Sequence, residues 1–495
     1  MSDFVEQVDK YLEAVIEVNP EALQIAERLD NERTAGGYRG ILHGLPVLVK
    51  DNMATKDLVD TTAGSWALVG SKVPRDAFVV SKLIDAGAVI LGHSNMSEWA
   101  SVRSKQYSTG FSPRRGQTRN PYDLSKSPFG SSSGSAVAVA ANYVPLSFGT
   151  ETDTSIIGPA RSNGIVGIKP TVGLTSRSGV IPISLSMDSV GSLGRTVADA
   201  VYGLDAIVGI DERDPATLQH GRRQEARYAN YLCDSSTLKG AVFGLPYTRF
   251  WDTSRPDYRS VVDGVLNIIR AAGAEVVRTD FPSAEERFNE NGEWNWEHGG
   301  PQHSEFTVVK AEAYNGINQY LSELSNTEMR SVEDVLAYNK ANNGTEGATP
   351  GVVPAFPTGQ DNFNEIVAHA GRKNQVYHSA LTHIQTQSRK NGVDAALTRQ
   401  AAHGAHQQLD AILICDDKGA GQQLAAQAGY PIITIPIGLD DRGLPVGLSI
   451  HHTAWEEGKL VKWASAIEDL LRKESGWRAL PKYHNYMSKN IPIGK

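Results

Sequence analysis

From Gly44 to Gly209 short apolar runs alternate with stretches of helical period, and that alternation admits few folds. Leu45-Pro46-Val47-Leu48-Val49 reads as a strand. Asp76 to Ala86, with apolar Phe78, Val79, Val80, Leu83 and Ile84, reads as a helix leading into the buried strand Ala88-Val89-Ile90-Leu91. Ser135 to Asn142 is helical by composition, Val144 to Phe148 reads as a strand, and Thr196 caps a helix through Ala206. A second βαβ-like unit follows, with strands at Ala241–Leu245 and Ala274–Val277 around a helix from Tyr258 to Ala272. Strand and helix taking turns in this way imply a layered α/β fold, in which helices cover the faces of a sheet.

The flanks are less regular. Apolar Phe4, Val5, Val8, Tyr11, Leu12, Val15 and Ile16 recur at helical spacing among charges, which predicts an amphipathic surface helix rather than a signal peptide. Residues 281–305 break pattern, with Trp294, Trp296 and His298. Residues 306–340 and 363–390 return to helical spacing around a Gly/Pro/Asn-rich loop, and Asp410 to Glu468 reads strand, loop, strand, loop, strand, helix. Without an internal repeat, one domain over 1–495 carrying a helical insertion at 281–400 is simpler than several domains.

Charge narrows the partners. The 48 basic against 56 acidic residues give a net charge of −8, with no stripe of Lys and Arg interleaved with aromatics, so no nucleic acid is expected as a partner. No apolar run approaches the roughly 20 residues that span a bilayer, so no membrane anchor is expected. The two cysteines, Cys233 and Cys415, lie too far apart to suggest a metal pair, and nothing calls for an oxidising compartment; a cytoplasmic setting is expected.

Three segments carry the chemistry. In Pro46-Val47-Leu48-Val49-Lys50-Asp51-Asn52 a lysine closes an apolar strand. A desolvated ammonium tends to lose its proton and can then act as a base, although Lys50 could also snorkel or pair with Asp51. Gly130-Ser131-Ser132-Ser133-Gly134-Ser135 precedes an Ala/Val helix, where glycine-rich backbone and unpaired N–H groups suit an anion or a hydroxyl. The same string satisfies G-x-S-x-G, which would make Ser132 the nucleophile of an α/β-hydrolase elbow, but residues 123–129 are a poor strand to precede one; a plain helix-capping loop is the third reading. In Phe148-Gly149-Thr150-Glu151-Thr152-Asp153-Thr154-Ser155 a strand runs into a polar turn whose successive N–H groups could hold an oxyanion or simply form a capped turn.

Together the three segments resemble the amidase signature family. Lys50 matches the lysine of its P-V-x-x-K-D pattern, Ser132 the bridging serine of G-[GS]-S-S-G-[GS], and Ser155 the nucleophile of G-T-[DE]-T-x-x-S-I. Further segments resemble the family as well, among them Thr61–Ser65, Gly92–Trp99, Gly116–Pro121, Val166–Thr171, Ala428–Pro431 and Gly443–Leu448, over roughly residues 5 to 472. The resemblance implies an α/β/α fold with a large mixed central sheet, a signature and catalytic core at 44–209, and a variable insertion at 281–400 that lines the substrate channel. It implies hydrolysis of a carboxamide C–N bond through a Ser155 acyl-enzyme, with a Ser155-Ser132-Lys50 relay and the backbone N–H groups of Thr152, Asp153, Thr154 and Ser155 around the oxyanion. No metal or organic cofactor is needed for that chemistry. The expected partners are a small-molecule amide or carbamate and water, and the expected state is a monomer or homodimer.

Many members carry Gly-Gly before the nucleophile and Arg two places after it, where this chain has Asp153, Thr154 and Ile157; the Glu-Thr-Asp version is similar to a subgroup of bacterial and fungal amidases. Thr154, being β-branched, is expected to stiffen the turn and narrow the acyl site. A carbamate or ester hydrolase would use the same acyl-enzyme, and a glutaminase subunit of an amidotransferase would share the signature. His403-Gly404-Ala405-His406 and His451-His452 lack the H-E-x-x-H pattern or a third ligand and read as surface or packing residues. Trp294, Trp296, Tyr314 and Tyr320 read as packing residues or as an aromatic channel lining.

Overall fold

A computed structural model describes residues 2–219, 227–291, 299–400, 406–415, 417–474, 478–488 and 493. Its centre is an eleven-stranded mixed sheet. Numbered along the chain, the strands are β1 (Val15–Val18), β2 (Pro46–Lys50), β3 (Val89–Ser94), β4 (Leu146–Glu151), β5 (Val166–Lys169), β6 (Ser189–Gly194), β7 (Val242–Pro246), β8 (Glu275–Thr279), β9 (Ala411–Ile414), β10 (Ile432–Leu439) and β11 (Pro445–His451). They lie in the order β1-β3-β2-β4-β6-β5-β10-β11-β9-β7-β8. β2 runs parallel to both β3 and β4, whereas β4, β6 and β5 are antiparallel neighbours.

Alternate residues of a strand face opposite sides of its sheet, and β2 follows that rule. Val47 and Val49 pack with Leu83, Leu146 and Phe148, while Leu48 packs with Ala136, Val137 and Leu193. Lys50 shares the parity of Leu48, so its stem enters the layer of the buried helix Ser133–Ala140. Helices Val197–Ile207, Pro256–Ala271 and Glu457–Leu471 cover the other half of the sheet through Phe243, Leu413, Ile433 and Leu448. Thr196 caps the first of them through a reciprocal pair with Asp199. A separate apolar cluster joins Met96, Trp99, Ile181 and Ile183 to helices Glu305–Glu323, Val332–Ala341, Asp361–His369 and Gln375–Ser388.

Two sequence expectations need correction. The first helix stops at Leu12, and Val15 and Ile16 belong to β1, because the Asp9 carboxylate accepts the N–H groups of Ala14 and Val15 and the chain then pairs with β3. The segment between β9 and β10 is not a plain loop, since Ala420–Ala428 is a helix bounded by left-handed Gly419 and Gly429.

Candidate active site

Lys50 ends β2 and Thr150 nearly ends β4, and the C-terminal ends of parallel strands are where open α/β sheets gather their ligands. The Lys50 side chain is completely buried. Its Nζ has three oxygen partners: Ser131 Oγ at 2.7 Å, Thr150 Oγ1 at 2.9 Å and the Thr150 carbonyl at 3.1 Å. Burial lowers its pKa to about 7, against the opposing pull of the Glu151 and Asp188 carboxylates. Three partners suit either protonation state. An ammonium donates to all of them, whereas a neutral amine donates twice to Thr150 and offers its lone pair to the Ser131 hydroxyl.

The hydroxyl on Lys50 therefore belongs to Ser131 and not to Ser132, which the motif register had suggested. The reason is local. Ser132 is the N-cap residue of helix Ser133–Ala140; its N–H is spent on the Ser155 carbonyl at 3.1 Å, and its Oγ donates to the Thr150 carbonyl at 3.1 Å. Its side chain packs on β4 at Gly149, where an added Cβ would lie 2.7 Å from Ser132 Oγ. Only Ser131, still in the loop, reaches the lysine. Residues 118–131 form turns and one isolated bridge rather than a strand, so the strand that an α/β-hydrolase elbow needs before Ser132 is not there.

Ser155 sits on the turn that leaves β4. It is 8% exposed, whereas Lys50, Ser131 and Ser132 are all at 0%, so of these four only Ser155 meets solvent. Its hydroxyl donates to the Asp153 carbonyl at 3.3 Å. The buried Glu151 carboxylate fixes the far side of the turn by accepting N–H of Ile156 at 2.5 Å and of Ile157 at 2.9 Å. Thr152 donates its hydroxyl to Asp188 at 2.6 Å, and Asp188 also accepts the N–H groups of Ile183 and Ser184. Burial raises the Asp188 carboxyl to about 6. Thr154 takes a left-handed φ of 62°, uncommon for a β-branched residue, and its carbonyl accepts the Gly158 N–H at 2.8 Å.

One aromatic ring ties the two loops together. Phe129, at φ 59°, immediately precedes Gly130 and lies against Gly158, where any Cβ would come within 2.3 Å of the ring. The Arg161 guanidinium stands 5.7 Å from the same ring.

The histidines sit elsewhere. His451 is fully buried, with no partner on either ring nitrogen among the described residues, and burial lowers its pKa to about 3; burial likewise lowers His452, which contacts Thr453 and Lys459, to about 3. His403 lies outside the described residues, and His406 is in a short strand paired with Thr398–Gln400. Among the described residues no His, Cys, Asp and Glu cluster is arranged to hold a metal ion, and no helix is long and apolar enough to cross a membrane. Tyr314 and Tyr320 pack against the apolar cluster that joins Met96, Trp99, Ile181 and Ile183 to the four helices between Glu305 and Ser388, and Trp294 and Trp296 lie outside the described residues. Sequence reasoning did not single out Thr150, Glu151, Asp188 or Phe129. The first two were visible only as letters of the Gly-Thr-Glu-Thr motif, and the last two carried no signal of their own.

Comparison with known proteins agrees with this architecture. The profile of the family described as Amidase matches residues 2–461. A Schizosaccharomyces pombe protein named as an amidase is 48% identical over 98% of this chain and 83% of its own length. The native peptide amidase of Stenotrophomonas maltophilia superposes with a TM-score of 0.85 at 40% identity, over 97% of this chain and 92% of that one. An amidase family protein of Bacillus anthracis superposes with a TM-score of 0.80 at 29% identity, over 97% of this chain and 87% of that one.

Proposed function

This chain belongs to the amidase signature family and is a serine-dependent hydrolase of amide C–N bonds, and from that premise we propose that Ser155 is the nucleophile, Ser131 the bridging hydroxyl and Lys50 the base. The observation that carries this reading is the 2.7 Å contact between a buried, readily deprotonated lysine and a loop serine whose neighbour is hydrogen-bonded to the Ser155 backbone. Neutral Lys50 takes the proton of Ser131 while Ser131 takes that of Ser155, whose oxygen attacks the substrate carbonyl. Backbone N–H groups of Thr152, Asp153, Thr154 and Ser155 hold the oxyanion on a turn that Glu151 and Asp188 brace from either side. The proton returns through the relay to the leaving nitrogen, the C–N bond breaks, and water releases the acyl group by the same steps in reverse.

For the acyl group we propose a peptide or an N-acylated amino acid, a reading supported by the 40% identity to the peptide amidase. The nucleophile is tested by treating the protein with a fluorophosphonate and mapping the adduct by peptide mass spectrometry. The label is expected on Ser155 and absent from Ser155→Ala. Labelling of Ser132, or undiminished hydrolysis by Ser155→Ala, would refute the assignment.

A further inference from the structure

The turn that carries Ser155 has a second neighbour, the first turn of the helix Ala420–Ala428. Gln423 Nε2 donates to Asp153 Oδ2 at 3.4 Å. A carbon added at Gly419 would lie 3.7 Å from Gln422 Oε1 and 3.9 Å from both Thr154 Cγ2 and Phe129 Cζ. The Gln422 amide therefore shares one small region with the residue before Ser155 and with the ring that pins the Ser131 loop. Gln422 is completely buried, and among the described residues neither its Oε1 nor its Nε2 has a hydrogen-bond partner. Buried polar groups are nearly always partnered because an orphaned one forfeits its hydration with nothing in return. A methyl group and a ring edge supply no partner here, so the hydrogen-bonding capacity of both ends of this amide is left unmet by the described residues.

We propose that Gln422 recognises the acyl side of the substrate by pairing with a second amide in it, accepting an N–H on Oε1 and donating from Nε2 to a C=O. A glutamine amide presents one acceptor beside its donors, which matches the donor and acceptor of a peptide group. The substrate class is then a carboxamide whose acyl group carries a secondary amide, as in N-acylamino acid amides and peptide amides. This inference rests on Ser155 as the nucleophile and adds a specificity-determining residue to that site.

The test compares N-acetylphenylalaninamide with 3-phenylpropionamide, which keeps the skeleton and lacks only the acetamido group. Wild-type enzyme is expected to favour the former. Gln422→Met fills the same space without hydrogen bonds, and its kcat/KM should fall about 100-fold on the acetamido substrate and stay within about threefold on the other, since a site built to bond a polar group discriminates strongly when that bonding is lost. Gln422→Glu keeps the acceptor and loses the donor, so its selectivity should fall between the two. Equal losses on both substrates, no loss on either, or no preference in the wild type would overturn the proposal. Should Gln422→Met fail to fold by thermal melting, the selectivity of Gln422→Glu decides, and an unchanged ratio overturns the proposal. Failure of the Ser155 assignment reads differently, because Ser155→Ala would then hydrolyse both substrates.

Discussion

Lys50 Nζ reaches Ser131 Oγ at 2.7 Å, while Ser132, the very next residue, stands at the N-cap position of a helix and turns its hydroxyl to the Thr150 carbonyl. The two serines thus share a loop and divide its duties. One faces the buried amine, and the other fastens the loop to the strand and turn that carry Ser155. The same Thr150 carbonyl accepts from both Lys50 and Ser132, which fixes the distance between β2, the serine loop and β4.

Lys50 sets the pH dependence. With its pKa lowered to about 7, chiefly by burial, kcat/KM is expected to rise through an apparent pKa near 7 and then level off. Lys50→Met should lose about two to four orders of magnitude, the scale of a general base. His451→Gln should keep the limb, since an imidazole held at about 3 does not titrate there. Loss of the limb in that variant would transfer the base to histidine. Stability follows the same sign. Between about 7 and 10 the unfolded chain, with an ordinary lysine, binds the extra proton, so stability contributed at this site increases as pH rises through that window. Urea unfolding at pH 6.5 and 9 should show that increment in the parent and not in Lys50→Met.

Asp188 braces the turn through Thr152 and also favours the ammonium form of Lys50. Asp188→Asn removes that negative charge, so the acid limb of kcat/KM should shift to lower pH. The weakened hold on Thr152 should cost about tenfold in kcat, roughly 1.4 kcal/mol. A pH–rate series on the variant checks both effects, and a limb shifted to higher pH would contradict the electrostatic part.

Phe129 and Gly158 lock the two loops by close approach. Gly158→Ala drives a methyl into the ring at 2.3 Å, which is expected to destabilise the protein by about 1–3 kcal/mol and to depress activity even though no reacting group is altered. In a double-mutant cycle with Phe129→Leu, the urea midpoint should recover most of that loss. Additive losses would mean that the two side chains do not meet.

Much of this was legible in the letters. The alternation of apolar runs and helical periods from Leu45 to Ala206 predicts the strands and helices that carry Lys50, the serine loop and Ser155, because each buries its apolar face in one sheet. The register within Gly130-Ser131-Ser132-Ser133-Gly134 was not legible. The family pattern fits the three consecutive serines in one frame, with Ser132 in the bridging place, and only the start of the helix at Ser133 shows that it is Ser131 that remains free to meet Lys50. The helix Ala420–Ala428 was hidden for another reason. It is short, its apolar residues are mostly alanine, and its glutamines blur the amphipathic stripe. Gln422 was hidden with it, since a glutamine becomes informative only once it is found buried without partners.

The division of labour between adjacent serines is tested most directly by measuring kcat/KM for Ser131→Ala and Ser132→Ala on one carboxamide substrate, with folding verified by circular dichroism. If Ser131 passes the proton between Ser155 and Lys50, Ser131→Ala should lose three or more orders of magnitude, as members of a coupled triad do. Ser132→Ala, which gives up one hydrogen bond to the Thr150 carbonyl, should stay within about tenfold of the parent. The reverse pattern, with Ser131→Ala active and Ser132→Ala dead, would contradict the relay proposed here.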